Sequence, residues 1–227
     1  MGSPYAWKEK EALETLEIPY IEMKVDLIKE EFGNVPSAGD VMIPGRNMII
    51  ASVISGLLPD VIWISAVKGE SHQWSTDKNV HFFQMMTAMC SYVHSKDVDK
   101  MVVETPFEDM SKLEIVGWAL DNGYSREDIL ATSSCLDGAL TKGKNCGNCI
   151  VCMRRKGIFA YYDMTEKYDQ DPFTSPRGVN ALAPLQKAYR EKDFSHYSMD
   201  RIDEVRLGVP ALFKDVVSAR DNRAGAQ

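Results

Sequence analysis

Apolar positions recur with two alternating periods along the first two thirds of the chain. Over 7–16 they follow a helical period, with Leu13 and Leu16 on one side and Lys and Glu elsewhere. A short strand is predicted over 20–25 and a loop over 30–40, where Gly33, Pro36 and Gly39 punctuate the chain. A second helix is predicted over 46–58, with Ile49, Ile50, Val53, Ile54 and Leu57 as a wide apolar stripe. The run 61–67 is β-branched and almost wholly apolar, which suits a buried parallel strand. A polar loop follows over 68–78. The helix predicted over 79–94 carries Phe82, Met85, Met86, Met89 and Val93 on one face, and Cys90 on its apolar side reads as a core residue. Residues 100–104 read as a strand. Over 111–122 a helix starts at Ser111, with Glu114 placed for a capping box, and stops at Gly123.

This alternation predicts an α/β fold with a doubly wound, mostly parallel sheet. In such sheets ligands bind outside the carboxyl ends of the strands. That rule marks the loops 33–45, 68–78 and 105–110. After Asp163 the character changes, so the reading divides the chain into an α/β domain over 1–163 and a C-terminal extension over 164–227. The stretch 169–177, Asp-Gln-Asp-Pro-Phe-Thr-Ser-Pro-Arg, reads as a linker or surface loop, with short helices over 181–191 and 211–219.

Composition narrows the classes. Hydrophobic residues make up 44% and charged residues 26%, the mix of a globular chain, and the net charge is −7. An acidic balance argues against direct nucleic-acid binding, which needs a basic surface. The longest apolar stretch, 48–58, is too short to span a bilayer. The first thirty residues are rich in Glu and Lys rather than apolar, so no signal peptide is read and a cytoplasmic protein is expected. The five cysteines are an odd number, and four of them fall between 135 and 152. Such clustering points to metal rather than to disulfides.

The pattern is Cys135-x10-Cys146-x2-Cys149-x2-Cys152. Zinc takes four soft ligands at tetrahedral corners, and a Cys-x2-Cys turn presents two thiolates to one ion. Gly143 and Gly147 let the backbone fold tightly around it, and Lys142, Lys144, Arg154 and Arg155 are expected to offset the tetrathiolate charge. Four thiolates leave no open position, so the site reads as structural. Four ordinary reduced thiols are the plain alternative, and an iron–sulfur cluster is the sharper competitor.

Three other constellations fall in the marked loops. Pro44, Gly45, Arg46 and Asn47 open a helix, whose free amides and guanidinium suit an anion; the plain alternative is a solvated Arg. The loop from Lys68 offers Glu70, His72, Trp74, Ser75 and Asp77, a plane and a carboxylate that suit a purine-like base. It equally suits a polar loop whose Asp77 caps the next helix. Thr105 precedes Pro106, and Lys112 stands in a first helical turn where it can reach a phosphate or pair with a nearby acid.

Taken in order, Ile43-Pro44-Gly45-Arg46-Asn47, then Glu104-Thr105-Pro106 with Ser111-Lys112-x-Glu114, then Cys135…Cys146-Gly-x-Cys149-x-x-Cys152-x-x-Arg155 resemble the 7-cyano-7-deazaguanine synthases, in the PP-loop ATP pyrophosphatase group. The resemblance covers about 5–162. It implies an adenine-nucleotide hydrolase-like parallel sheet with a zinc site, a homodimer, and a ligase in queuosine or deazaguanine nucleic-acid modification. That ligase converts 7-carboxy-7-deazaguanine, ammonia and ATP with Mg2+ to the nitrile. It implies Arg46 and Lys112 as catalytic, and Pro44, Gly45, Asn47, Trp74, Asp77 and Thr105 as contacts to the small-molecule deazaguanine or the nucleotide. Where the family has Tyr-Pro-Asp-Cys, this sequence has Trp74-Ser75-Thr76-Asp77, and only the Asp holds. The family opens with a strand and a Ser-Gly-Gly-x-Asp-Ser loop that grips pyrophosphate, and these 227 residues contain no such motif. A noncatalytic, zinc-stapled binding protein is therefore the second expectation. A tRNA-thiolating PP-loop enzyme and a zinc-ribbon nucleic-acid module are weaker ones. The cysteines are committed to metal, and the charge is acidic.

Overall fold

The apolar run after residue 60 forms a strand, and the run before residue 105 pairs with it. The computed structural model describes residues 6–22, 45–70, 77–94, 101–136 and 145–214. Helix α1 spans Ala6–Thr15, α2 Arg46–Ser55 and α3 Val80–His94. Strand β1 is Val61–Trp63 and β2 is Val102–Glu104. Then come α4 Lys112–Asp121, α5 Arg126–Ala131, α6 Ile150–Tyr161, α7 Pro176–Glu191 and α8 Met199–Arg206, and a 3-10 turn over Pro210–Phe213. No described helix is long and apolar enough to cross a membrane.

β1 and β2 are parallel, with Val61, Ile62 and Trp63 opposite Val102, Val103 and Glu104. Ile62 and Val103 point inward onto Ala51, Phe83, Met86 and Cys90 of α2 and α3. β1 is shorter than the predicted 61–67. Ile64 still donates to the Glu104 carbonyl at 2.9 Å, but Ala66 N–H then turns back to the Ile64 carbonyl at 2.7 Å, a three-residue turn that ends the strand. The outer edge of β2 is closed by α3. The Thr87 hydroxyl bonds both N–H and C=O of Val103 (2.9 and 3.1 Å), and the Ser91 hydroxyl does the same for Met101 (3.4 and 2.8 Å). Side chains one helical turn apart thus take the backbone groups that a further strand would use.

These bonds also set which face of α3 looks inward. Phe83, Met86 and Cys90 are buried, while Met85, Met89 and Val93 of the predicted stripe are exposed. The α2 stripe is corrected in the same way. Asn47, Ala51 and Ser55 are its buried residues and Ile50 is exposed. Small side chains four apart let α2 approach closely, and the Ser55 hydroxyl meets His94 Nε2 at 2.9 Å. The strand predicted over 20–25 is not formed in its described part, 20–22, where Ile21 is exposed; the remainder lies outside the described residues, as do the loop 30–40 and 215–219 of the last predicted helix. The described residues therefore show a mixed α/β arrangement with a small parallel sheet rather than a full doubly wound one.

α6 is the hub of the second half. One side packs with α4 and α5 through Ile158, Phe159 and Ile129. The other packs with α7 and α8 through Met153, Leu185, Ile202 and Val205. Gly157 permits this contact, because a Cβ there would lie 2.3 Å from the Glu204 carbonyl oxygen. α7 begins five residues earlier than predicted: Ser175 caps it and Pro176 stands in its first turn, a pairing that favours a helix start. α5, α6 and α8 were not predicted. α5 has its own capping box, Ser125 with Asp128.

The capping box of α4 is present as predicted. Ser111 N–H donates to Glu114 Oε2 at 2.7 Å and Glu114 N–H to Ser111 Oγ at 3.3 Å. Hydrogen bonds from the Ser111 backbone and then its side chain hold the Glu114 carboxyl below its ordinary range. A depressed folded-state value means that the stabilisation is present above the unfolded value and is lost as pH falls through the folded one. Wild type is therefore expected to melt above Glu114→Gln at pH 7, and the gap should close as pH falls below the range of a free Glu carboxyl, about 4.3, through the lower folded-state value. A gap that persists at the acid end would show that the carboxylate is not the source.

Candidate functional site

The cysteines converge although Cys135 is distant in sequence. Cys135 follows α5, Cys146 precedes α6, Cys149 caps α6, and Cys152 lies in its first turn. The four Sγ atoms lie within 4.8 Å of one another. A tetrahedral zinc–thiolate centre, with bonds of about 2.3 Å, has sulfurs about 3.8 Å apart, and the Cys146 and Cys152 sulfurs are 3.9 Å apart. Backbone N–H groups point at sulfur: Cys146 N–H to Cys135 Sγ at 3.4 Å, Asn148 N–H to Cys146 Sγ at 3.2 Å, and Cys152 N–H to Cys149 Sγ at 3.4 Å. Such bonds favour thiolates. Sharing a pocket sets the thiols against one another. Cys135 is held low, chiefly by Cys146, and Cys152 is pushed up, chiefly by Cys135. The donor set fits a metal ion with all four positions filled.

A strap closes the cage from outside. Asp169 N–H donates to the Asn145 carbonyl at 3.0 Å and Gln170 N–H to the Cys146 carbonyl at 3.2 Å. The Ser175 hydroxyl donates to the Gly147 carbonyl at 2.9 Å. Gly147 has φ +66°, and a Cβ there would fall 1.7 Å from the Gln170 carbonyl oxygen. The predicted linker 169–177 is thus a clamp on the cysteine knuckle. The two arginines do not serve the sulfurs. Arg154 Nε bonds Glu204, and Arg155 makes a two-pronged pair with Glu166 at 2.8–3.1 Å. Lys142, Gly143 and Lys144 lie outside the described residues.

The second cluster sits at the carboxyl ends of β1 and β2. Thr105 Oγ1 donates to the Ala66 carbonyl at 2.6 Å, and Lys68 N–H donates to the Met110 carbonyl at 3.0 Å. The two post-strand loops are thereby tied. Gly45 caps α2 with φ 71°. Asn47 is buried and its Nδ2 donates to the Asp77 carbonyl at 3.0 Å. Lys78 then reaches Glu70 Oε2 at 3.4 Å, and Glu70 Oε1 faces Lys112 Nζ at 3.8 Å. A chain of contacts therefore links Asn47, Asp77, Glu70 and Lys112. Arg46 is exposed and acts on Glu9, whose carboxyl is raised by burial and pulled back by Arg46. Pro44 and Trp74 lie outside the described residues.

Lys112 is pulled below its ordinary range, first by removal from water and then by Arg154, with Glu70 and Glu204 opposing. Sequence reasoning did not anticipate Lys78, Arg154, Arg201 or Glu204 here. Arg201 bonds Glu70 at 2.6 Å and the Gly69 carbonyl at 3.3 Å across 131 and 132 residues. No local motif announces such a partner.

The family model described as queuosine biosynthesis protein QueC matches residues 14–163. No curated protein and no solved structure matches the chain.

Proposed function

Because this chain belongs to the family of the queuosine biosynthesis protein QueC, we propose that it is a 7-cyano-7-deazaguanine synthase-like ligase with a structural zinc ion. The carrying observation is the match over 14–163, which contains the four-thiol cage and the tied loops. The reaction amidates and then dehydrates 7-carboxy-7-deazaguanine. A carboxylate oxygen attacks the α-phosphorus of ATP and releases pyrophosphate. Ammonia then displaces AMP to give the amide. A second ATP activates the amide oxygen in the same way, and loss of AMP with the nitrogen protons leaves the nitrile. AMP is a good leaving group, and holding ammonia in line supplies much of the rate. Arg46 and Lys112 are the cations for the developing phosphate charge. The Lys112 side chain is partly open to solvent, with Nζ 3.8 Å from Glu70 Oε1. Pro44, Gly45, Asn47, Trp74, Asp77 and Thr105 are the proposed contacts to substrate. Thr105 acts through the loops it ties, since its hydroxyl is engaged by Ala66 and Phe107.

Zinc is the ion that suits four thiolates with no vacant position. The reading includes a doubly wound parallel sheet, Mg2+ with ATP, a homodimer, a cytoplasmic location, and no direct nucleic-acid contact.

One observation favours a second reading. Asn47 and Thr105 are engaged by the Asp77 and Ala66 carbonyls, and Lys112 faces Glu70, which suits a noncatalytic, zinc-stapled binding protein. Zinc-loaded chain is incubated with ATP, Mg2+, ammonium and 7-carboxy-7-deazaguanine, with and without an added Ser-Gly-Gly-x-Asp-Ser segment. The products are read by mass spectrometry. Nitrile in either sample supports the ligase. Neither amide nor nitrile from folded protein overturns it in favour of the binding protein.

A further inference from the structure

α8 lies outside the family-matched residues 14–163, yet its first turn grips the loop after β1. The Ser198 hydroxyl donates to the Gly69 carbonyl at 3.5 Å, Asp200 pairs with Lys68 at 3.4 Å, and Arg201 Nε donates to the Gly69 carbonyl at 3.3 Å. Gly69 has φ +78°, and a Cβ there would lie 2.5 Å from Ser198 Oγ; both favour glycine at so close an approach. The helix that makes this grip is itself fixed. Ile202 and Val205 are fully buried in one core with Met153 and Leu185, and the buried Glu204 carboxylate joins Arg154. α8 is therefore a strut between the core on α6 and the ends of the strands.

The strut ends on one carboxylate. Arg201 Nη2 bonds Glu70 Oε1 at 2.6 Å, and the same oxygen faces Lys112 Nζ at 3.8 Å, while Glu70 Oε2 is taken by Lys78 at 3.4 Å. Arg201 and Lys112 thus compete for one oxygen, and Arg201 holds it. A guanidinium fork fixes direction as well as charge. Nε on Gly69 and Nη2 on Glu70 set where that carboxylate points, and Nη1 faces Glu204 at 3.8 Å. Lys112 is left beside Glu70 but outside hydrogen-bond range, with its side chain 39% exposed. Among the described residues, the other charged groups acting on Lys112 are Arg154, Glu204 and Lys78.

We propose that Arg201 is a positioning residue that holds Glu70 back from Lys112, so that a helix of the C-terminal extension keeps the Lys112 ammonium available at the strand ends. What the ammonium then serves rests on the ligase reading; the link from Arg201 through Glu70 to Lys112 does not. Removing Arg201 lets Glu70 close on Lys112 and takes away a positive charge, and both make the ammonium harder to deprotonate. Removing the Glu70 charge does the opposite. A loop that merely loosened would change how fast Lys112 reacts at every pH without moving its profile along the pH axis.

The test is competitive labelling of Lys112 by acetic anhydride in full-length, zinc-loaded protein, read by peptide mass spectrometry between about pH 6 and about pH 10. The midpoint of the Lys112 profile is expected to rise by about half a pH unit or more in Arg201→Gln and to fall by a similar amount in Glu70→Gln. Arg201→Lys retains the charge and should stay closer to wild type. In the Glu70→Gln background the Arg201→Gln step should shrink by about half or more, because the carboxylate through which it acts is gone. Circular dichroism and zinc content check that each variant is folded. An Arg201→Gln midpoint that falls, or stays within about 0.2 of wild type, overturns the proposal. So does an undiminished step in the Glu70→Gln background. Should Arg201→Gln fail to fold, Glu70→Gln carries the test, since an unmoved Lys112 midpoint there removes the link. Where wild type makes nitrile, Arg201→Gln should lower kcat by about tenfold, with part recovered in Arg201→Lys; an unchanged kcat overturns the positioning role. Shifted profiles in a chain that makes no nitrile keep this link and lose the ligase reading.

Discussion

Replacing Cys152 by serine is expected to strip the metal and lower the melting temperature. Cys152 is fully buried, its sulfur lies 3.9 Å from that of Cys146, and it sits in the first turn of α6. The next residue, Met153, is also fully buried and belongs to the core shared with α7 and α8. Loss of the ion therefore loosens the start of the helix on which both flanking cores rest. Structural zinc contributes roughly 10–16 kcal/mol in small zinc-finger peptides. If about 3 kcal/mol of such a contribution were lost, the midpoint would fall by about 6–12 °C in a chain of this size. The check is metal content by elemental mass spectrometry beside a thermal melt. One zinc per wild-type chain and far less in Cys152→Ser is the expected result. Full zinc occupancy and an unchanged melt in the variant would rule out the four-thiol site. Iron with visible absorbance in the wild type would replace zinc by an iron–sulfur cluster.

Arg155→Ala is expected to cost about 3–5 kcal/mol, the range for removing one partner of a buried pair. The side chains of Arg155 and Glu166 are 8% and 7% exposed. Arg155 also donates to the Thr132 hydroxyl at 3.0 Å and to the Ile129 and Thr132 carbonyls at 3.3 and 3.0 Å, and it lies 4.3 Å over the Phe159 ring. One guanidinium thus closes the end of α5 onto α6, next to Cys135. Alanine leaves Glu166 charged in a poorly solvated place and those carbonyls without a donor. Replacing both partners with apolar residues, as in Arg155→Met with Glu166→Met, should recover part of the loss, because no lone charge is left behind. Urea midpoints of the two singles and the double provide the cycle. A single alanine variant within about 1 kcal/mol of wild type would show that the pair carries no such burden.

Arg155 also shows where a local reading stops. It ends the Cys152-x-x-Arg155 motif, and nearness in sequence suggested a counter-charge for sulfur. The structure gives it to a carboxylate eleven residues on and to carbonyls of α5. The apolar stripes of α2 and α3 show the same limit. Periodicity found the helices and placed Met86 and Cys90 inward, yet the other buried residues are Asn47, Ala51 and Ser55 on one, and Phe83 and Ser91 on the other. Hydroxyls bonded to β2 fixed the rotation of α3, and a hydroxyl bond to a neighbouring strand has no signature in a hydrophobic pattern. α8 reads as Met-Asp-Arg-Ile-Asp-Glu-Val-Arg, a charged segment with sparse apolar positions. Nothing in that string marks Glu204 as fully buried.

Some features were fixed by short-range chemistry and were legible for that reason. The Ser111–Glu114 box spans one helical turn, Gly123 takes φ 89° where the helix stops, and the three clustered cysteines can meet only around a common point. The order of β1, α3 and β2 followed from the switch of hydrophobic period, and the ligand rule for parallel strands put the candidate chemistry at their carboxyl ends. Tertiary structure alone decided what those ends contain. Arg201 arrives from 131 residues away to hold Glu70 and so helps to shape the surroundings of Lys112, while the clamp 169–177 closes over Gly147. Such contacts depend on where separate elements come to rest, and that is set by packing of side chains on α6 rather than by any spacing along the chain.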